Sequence, residues 1–272
     1  MIITYDMPVY TALSGTSEVL LGGVAFTLPE WCRSIRTITP LVQVPGLTEG
    51  ESVVCYLKVT SDDVVTTPLE LLCNPVQPAL ISVTAGGEVS IPPVSVPIRH
   101  AVNIPVRGGE RINLYGVGLI DHTIEPMMSV LLELSDAPPA GPRIRSRVSA
   151  LETSGVVNVE VAGTPLDLKD INEILEIQTL LVGAAVPVVL EGAAGQVRMS
   201  SSEFVLPAPL KVPLEAISGS IVGATSIQSP VSILSKARVS VRCMSPCRLA
   251  IYSTLHDAMT TATRWAVAIK YV

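Results

Sequence analysis

The chain has 272 residues, 48% of them hydrophobic but only 15% charged and 4% aromatic, with 22 Pro, 19 Gly and a net charge of −6. High apolar content excludes disorder, and the prolines with the low charge exclude a coiled coil or helical bundle. The acidic balance argues against a dedicated nucleic-acid binder, which shows a basic domain or stripe.

Met1-Ile-Ile-Thr-Tyr-Asp-Met-Pro8 has no basic region and no long apolar run, so no export signal is expected and folding in a cytoplasm is. Ser52–Thr60 is short and β-branched, which predicts a strand. Arg111–Tyr115 and Ser129–Leu134 are the next predicted strands. In Asp136–Pro142 four of seven residues are Pro or Gly, which predicts a linker at mid-chain. Val156–Val161 alternates apolar and polar and predicts a strand with one wet face. Asp167–Leu175 has acids near its start and predicts one or two helical turns. Ile177–Leu190 is uncharged but short and holds Gly183 and Pro187, and Ser, Gly and Pro interrupt Ala216–Ser235, so neither predicts a membrane span. Arg238–Arg242 alternates, His256–Thr263 is a weak helix candidate, and Trp265–Val272 is a final strand. Pro45-Gly46, Gly86-Gly87, Gly108-Gly109 and Gly141-Pro142 punctuate the runs as turns. Many short strands between Gly/Pro turns predict a sandwich or barrel.

Mid-chain placement of the linker prompts a search for a repeat. A shift of 137 lays Pro93–Arg99 on Pro230–Lys236 and Arg111-Ile-Asn-Leu-Tyr115 on Arg248-Leu-Ala-Ile-Tyr252. It also lays Val102 on Val239, Ile104 on Val241, Val130 on Val267, Leu132 on Ile269 and Leu134 on Tyr271. Earlier in each half the shift is 138 to 139, with Ala12-Leu13 on Ala150-Leu151 and Ile35, Ile38, Leu41 and Val42 on Ile174, Ile177, Leu180 and Leu181. The chain therefore reads as all-β: two tandem antiparallel β-sandwiches of jelly-roll type related by an internal repeat, with domains at 1–137 and 138–272.

The chemistry is sparse. His100, His122 and His256 show no metal-ligand spacing and read as surface or capped residues. No nucleophile elbow, P-loop or dinucleotide glycine motif is present. Asp62-Asp63 and Glu49/Glu51 sit at turns as ordinary solvated acids. Ten aromatics disfavour a glycosidase or sugar-binding module. No enzyme activity, cofactor or metal is expected. The five cysteines lack framework spacing and suit a reducing compartment. Cys243 and Cys247 align with a hairpin turn and would face each other across it, as a local disulfide or as two small buried thiols. Arg143, Arg145 and Arg147 alternate after the linker and point to one side of an extended chain. They read either as an anionic contact, to lipid head groups, nucleic acid or a neighbouring subunit, or as charges guarding an edge strand.

Two similar all-β halves joined by a short Pro-rich linker resemble the double jelly-roll major capsid proteins of tailless icosahedral viruses with internal membranes. The resemblance implies a structural shell protein that self-assembles as a homotrimer with a pseudo-six-fold outline and then as a lattice. It implies virion localisation after assembly in the host cytoplasm. Other capsid proteins, such as penton or minor proteins, and an internal viral membrane are implied partners, without sequence-specific nucleic-acid binding. At 272 residues the chain would be a compact member with short loops. The alternative function is a tandem β-sandwich cell-surface, adhesion or ligand-binding module.

Overall fold

The computed structural model of the chain describes residues 2–6, 10–44, 53–61, 65–74, 81–84, 87–90, 96–119, 125–152, 156–182, 190–205, 209–219, 226–227, 234–256 and 264–272. The first half holds β1 (Ile2–Asp6), β2 (Thr11–Ala12), β3 (Val19–Leu20), β4 (Phe26–Thr27), β5 (Ser34–Gln43), β6 (Cys55–Ser61), β7 (Val65–Leu72), β8 (Ile81–Thr84), β9 (Gly87–Ser90), β10 (His100–Pro105), β11 (Arg111–Gly118) and β12 (Met127–Ser135). The second holds β13 (Arg145–Glu152), β14 (Glu160–Ala162), β15 (Leu166–Leu168), β16 (Glu173–Val182), β17 (Leu190–Ser200), β18 (Leu210–Gly219), β19 (Ser226–Ile227), β20 (Ser235–Arg242), β21 (Cys247–Leu255) and β22 (Arg264–Tyr271). Among the described residues there is no α-helix.

Strand order decides the topology. One sheet of the first half runs β1-β12-β5-β10 with β2 also on β12; the other runs β3-β11-β6-β7 with β4 also on β11. Lettered B to I in chain order, with β1/β2 as B and β3/β4 as C, these are B-I-D-G and C-H-E-F. Every connection except E to F crosses between the sheets. The second half repeats this as β13-β22-β16-β20 and β14-β21-β17-β18, with β15 also on β21. Each half is therefore a jelly roll, a double Greek key of two antiparallel sheets. β8, β9 and β19, all between F and G, form a small sheet to which both halves contribute.

Alternation builds the cores. In β6, Cys55, Leu57 and Val59 are buried while Tyr56 and Lys58 are half-exposed. They meet Ile35, Ile38, Ile104, Ile112, Leu132 and Leu134 in the first core. Ile174, Ile177, Val197, Leu249, Ile251, Ile269 and Tyr271 make the second. Each such fully buried aliphatic side chain contributes about 1.5–3 kcal/mol.

Where both copies are described the repeat keeps its register, while its first match, Pro93–Arg99 on Pro230–Lys236, lies largely outside the described residues. Leu132 pairs with Ile38 and Leu134 with Ile35, as Ile269 pairs with Ile177 and Tyr271 with Ile174. The register slips at Arg36 in one half and at its counterpart Leu175 in the other. Ala101 faces Thr37 as Arg238 faces Glu176. One match shifts: Ala12 pairs with Met127, and the residue opposite Arg264, the counterpart of Met127, is Glu152 rather than Ala150.

Two local expectations are overturned. Asp167–Leu175 is not helical. Leu166 and Leu168 face inward from β15, Asp170 takes a left-handed φ of 52°, and Ile171 and Ile174 are buried. The acids that resembled a helix start lie on the wet side of strands and their turn. Val156–Val161 forms a strand only from Glu160, because the chain turns through Asn158 at φ 60°. Residues 257–263 of the second helix candidate lie outside the described residues, as do His122, Asp62-Asp63, Glu49/Glu51, Pro45-Gly46 and Gly86.

Candidate assembly surfaces

The most informative surface is the seam between the halves. There the F–G side of the first roll lies on the outer face of the second roll's B-I-D-G sheet. Val54 and Leu72 from the first roll pack with Leu180, Ala266 and Ala268 from the second, flanked by Leu119, Val148 and Leu234. All five central residues are essentially inaccessible, at 0–1% exposure. The linker is tied down as well: Ile144 N donates to Val102 O at 2.9 Å, and Asn103 Nδ2 to Pro142 O at 3.4 Å.

Glu70 of β7 is the polar anchor of this seam. Its Oε2 accepts from Val148 N at 2.8 Å and from Arg147 Nε at 3.2 Å. β13 is an edge strand, so its outward N–H groups need a partner, and a carboxylate from the other roll supplies one. Arg145 and Arg147 pair with Tyr271 and Ile269, so both lie on the inner side of β13 and reach round its edge. Arg145 Nη1 donates to Asp170 O at 3.2 Å. Arg143 precedes the strand; burial, then Arg145, pulls its pKa below the ordinary value, against an opposing effect of Tyr271. The anion beside Arg147 is therefore a carboxylate of the same chain.

His100 is fully buried at the start of β10, which corrects the surface or capped reading. Its Nε2 lies 3.0 Å from Leu72 O and so joins the G strand to the F strand of the other sheet. Burial, aided by the charges of Lys270 and Lys236, pushes its pKa down to about 3 against the Leu72 contact. Beside it a cavity of about 230 Å³ is lined by Ala101, Ile144, Leu175, Glu176, Arg238 and Lys270. Lys270 Nζ and Gln178 Nε2 both donate to Glu176 Oε1, at 3.0 and 2.6 Å. Burial raises the Glu176 pKa, but Lys270 and Gln178 outweigh it and leave the carboxyl below its ordinary range.

Arg143, Arg145 and Arg147 stand out in the sequence, whereas Glu70 and the burial of His100 do not. Glu70 did carry a signal: it is the one charge inside the apolar run Leu69-Glu70-Leu71-Leu72. Among the described residues no cluster of three or more His, Cys, Asp or Glu could hold a metal.

The seam uses only one side of each roll. The positions on the first roll that correspond to Leu180 and Ala268 are Leu41 and Leu131, on the outer face of its own B-I-D-G sheet. Both are half-exposed in the single chain, whereas Leu180 and Ala268 are covered. Conversely, the second roll's F–G side shows Lys211 and Pro213 exposed where the first roll buries Glu70 and Leu72. Each chain thus offers one covered face-to-edge contact and the two unmatched halves of another.

These features define a protein of two tandem jelly rolls packed side by side. The chain is similar in fold to the STIV MCP, with 10% identity, TM-score 0.45, and coverage of 100% of this chain and 97% of that one. It is likewise similar to the major capsid protein P2 from bacteriophage PM2, with 8% identity, TM-score 0.43, and coverage of 100% and 98%. The PBSX exported protein XepA follows at 8% identity and TM-score 0.23, covering 98% of this chain and 86% of that one. The jelly-roll fold is given by this chain's own strand order. No family model and no curated protein matches the sequence.

Proposed function

We propose that the chain is a structural capsid protein, built of rolls 1–137 and 138–272, that assembles as a homotrimer and then as an icosahedral shell. The observation that carries this reading is the half-used seam. One chain joins the F–G side of its first roll to the B-I-D-G face of its second and leaves the converse pair open. A head-to-tail contact of this kind either closes into a ring or grows without limit. Repeating the internal seam between copies gives alternating rolls, and three chains close a ring of six similar rolls.

Composition supports the same reading. A surface this poor in charge is tolerable where lateral contacts cover it, and sticky where nothing does. Partners are then copies of the chain, with penton or minor proteins at lattice vertices and a membrane beneath the shell. The site of action is the virion, after assembly in the host cytoplasm, and no catalytic role is assigned. Analytical ultracentrifugation of the purified full chain tests the trimer. The expected result is a species of three times 28.7 kDa, or larger shells built from it. A monomer that persists as concentration rises through the micromolar range overturns the proposal.

A further inference from the structure

Four of the five cysteines meet in two pairs, one in each roll. Cys55 opens β6, and Cys73 directly follows β7. The register Tyr56 to Leu72 and Leu57 to Leu71, continued by one step, sets Cys55 opposite Cys73. Cys73 N donates to Cys55 O at 3.0 Å, which fixes that step. A hydrogen-bonded antiparallel pair holds its Cα atoms about 5.5 Å apart, inside the window of about 4.4–6.8 Å that a disulfide spans. Both side chains enter the first core, at 1% and 2% exposure.

Cys243 and Cys247 flank the turn between β20 and β21, and both enter the second core. Their thiols lie within hydrogen-bond reach of each other, and Cys247 Sγ also donates to Ser201 Oγ at 3.3 Å. Cys32 is the remainder: its thiol donates to Ser34 O at 3.6 Å. The sequence alone pairs Cys243 with Cys247 across their turn but leaves a disulfide or two thiols open; the strand register adds the pair Cys55 and Cys73.

We propose that Cys55–Cys73 and Cys243–Cys247 are two disulfide sites, closed by exchange with a small-molecule disulfide, and that Cys32 stays a thiol. In each site one thiolate attacks the small disulfide, forms a mixed disulfide and expels one small thiol. The second thiolate displaces the other small thiol and forms the protein S–S bond. The protein thiols lose two protons and two electrons, and the small disulfide is reduced to two thiols, so the exchange balances. Burial pushes the thiols of Cys55 and Cys243 up to about 12, and that of Cys73 upward as well. Exchange therefore proceeds as the chain folds or opens, since the thiolate is the attacking species. The first bond ties E to F where Leu72 and Val54 meet the other roll, and the second closes the G–H turn. A protein released from a reducing cell would acquire both cross-links as its strands open transiently. This inference stands on register and thiol contact and is independent of the shell proposal.

The test incubates the reduced full chain with oxidised glutathione, through refolding from denaturant, then blocks remaining thiols by alkylation after unfolding. Non-reducing digestion and mass spectrometry map the linkages. The expected result is two linked peptide pairs, 55 with 73 and 243 with 247, with Cys32 alkylated and the melting temperature raised by several degrees. Cys243→Ser is expected to lose only its own bond, leaving Cys55–Cys73 intact and Cys247 alkylated. Five alkylated cysteines, glutathione retained on the paired cysteines, or any other pairing overturns the proposal.

Discussion

Replacing Glu70 by alanine removes the acceptor that two groups of the second roll share. The Val148 N–H at 2.8 Å would be left in the seam without its carboxylate, and Arg147 would lose its partner at 3.2 Å. A buried donor left unsatisfied costs about 1–3 kcal/mol. Breaking a fully buried ion pair costs about 3–5 kcal/mol, but the Arg147 side chain is 28% exposed and can rehydrate. The combined loss is therefore placed at about 2–3 kcal/mol. For a chain of this length that is a fall of about 4–10 °C in melting temperature. Glu70→Gln separates the two contributions, because its amide oxygen still serves the Val148 N–H and only the charge is lost. It is expected to cost about 1 kcal/mol, the size of a screened, part-exposed pair. Thermal and urea unfolding measure both variants, and amide exchange at Val148 reports the local contact. An alanine variant within about 0.5 kcal/mol of the parent, or a glutamine variant as damaging as alanine, would refute the anchoring role.

His100 makes stability depend on pH. Its folded pKa of about 3 lies below the unfolded value of about 6.5, so the unfolded chain binds the proton first. The contribution is complete above pH 6.5 and is lost as pH falls towards 3, by about 2–3 kcal/mol between pH 6.5 and 4.5. Urea unfolding across that range checks it, and His100→Gln should flatten the dependence; an unchanged slope contradicts it. Leu132→Ala and Ile269→Ala truncate repeat-related core positions, both at 0% exposure. Each is expected to cost about 2–5 kcal/mol in chemical unfolding, and a loss under 1 kcal/mol in either would break the equivalence. Gly108→Ala would put a Cβ 1.9 Å from the Glu30 carbonyl oxygen, whereas at Gly116 the nearest atom, at 2.4 Å, is a movable Leu13 methyl. Gly108→Ala should therefore lower the melting temperature more than Gly116→Ala, and the reverse order would contradict the close approach of the G–H turn to Glu30.

Much of this fold was legible because jelly-roll strands carry their own alternation. Leu132 and Leu134 mark one buried face, Ile269 and Tyr271 mark the same face again, and a constant offset links them. Strand order was not legible, because β12 takes β1 and β5 as neighbours by contacts remote in sequence. Local pattern also failed where one residue bends the chain. Asn158 and Asp170 take positive φ, and each broke an element that its flanking residues suggested. The seam was the least visible part. Val54, Leu72 and Leu180 look like ordinary core residues, and nothing local tells which of two apolar sides faces a second roll. A lone His beside a strand suggests a surface or capped residue, whereas His100 is buried and bridges two strands of opposite sheets.

Electron cryomicroscopy of the purified assembly shows whether first and second rolls alternate around a closed trimer. The expected particles are trimers with six density lobes of similar size around the axis, first and second rolls alternating, and Leu41 and Leu131 covered by the F–G side of the next chain. Isolated two-lobed monomers, or an assembly in which Leu41 and Leu131 remain open to solvent, would contradict this arrangement.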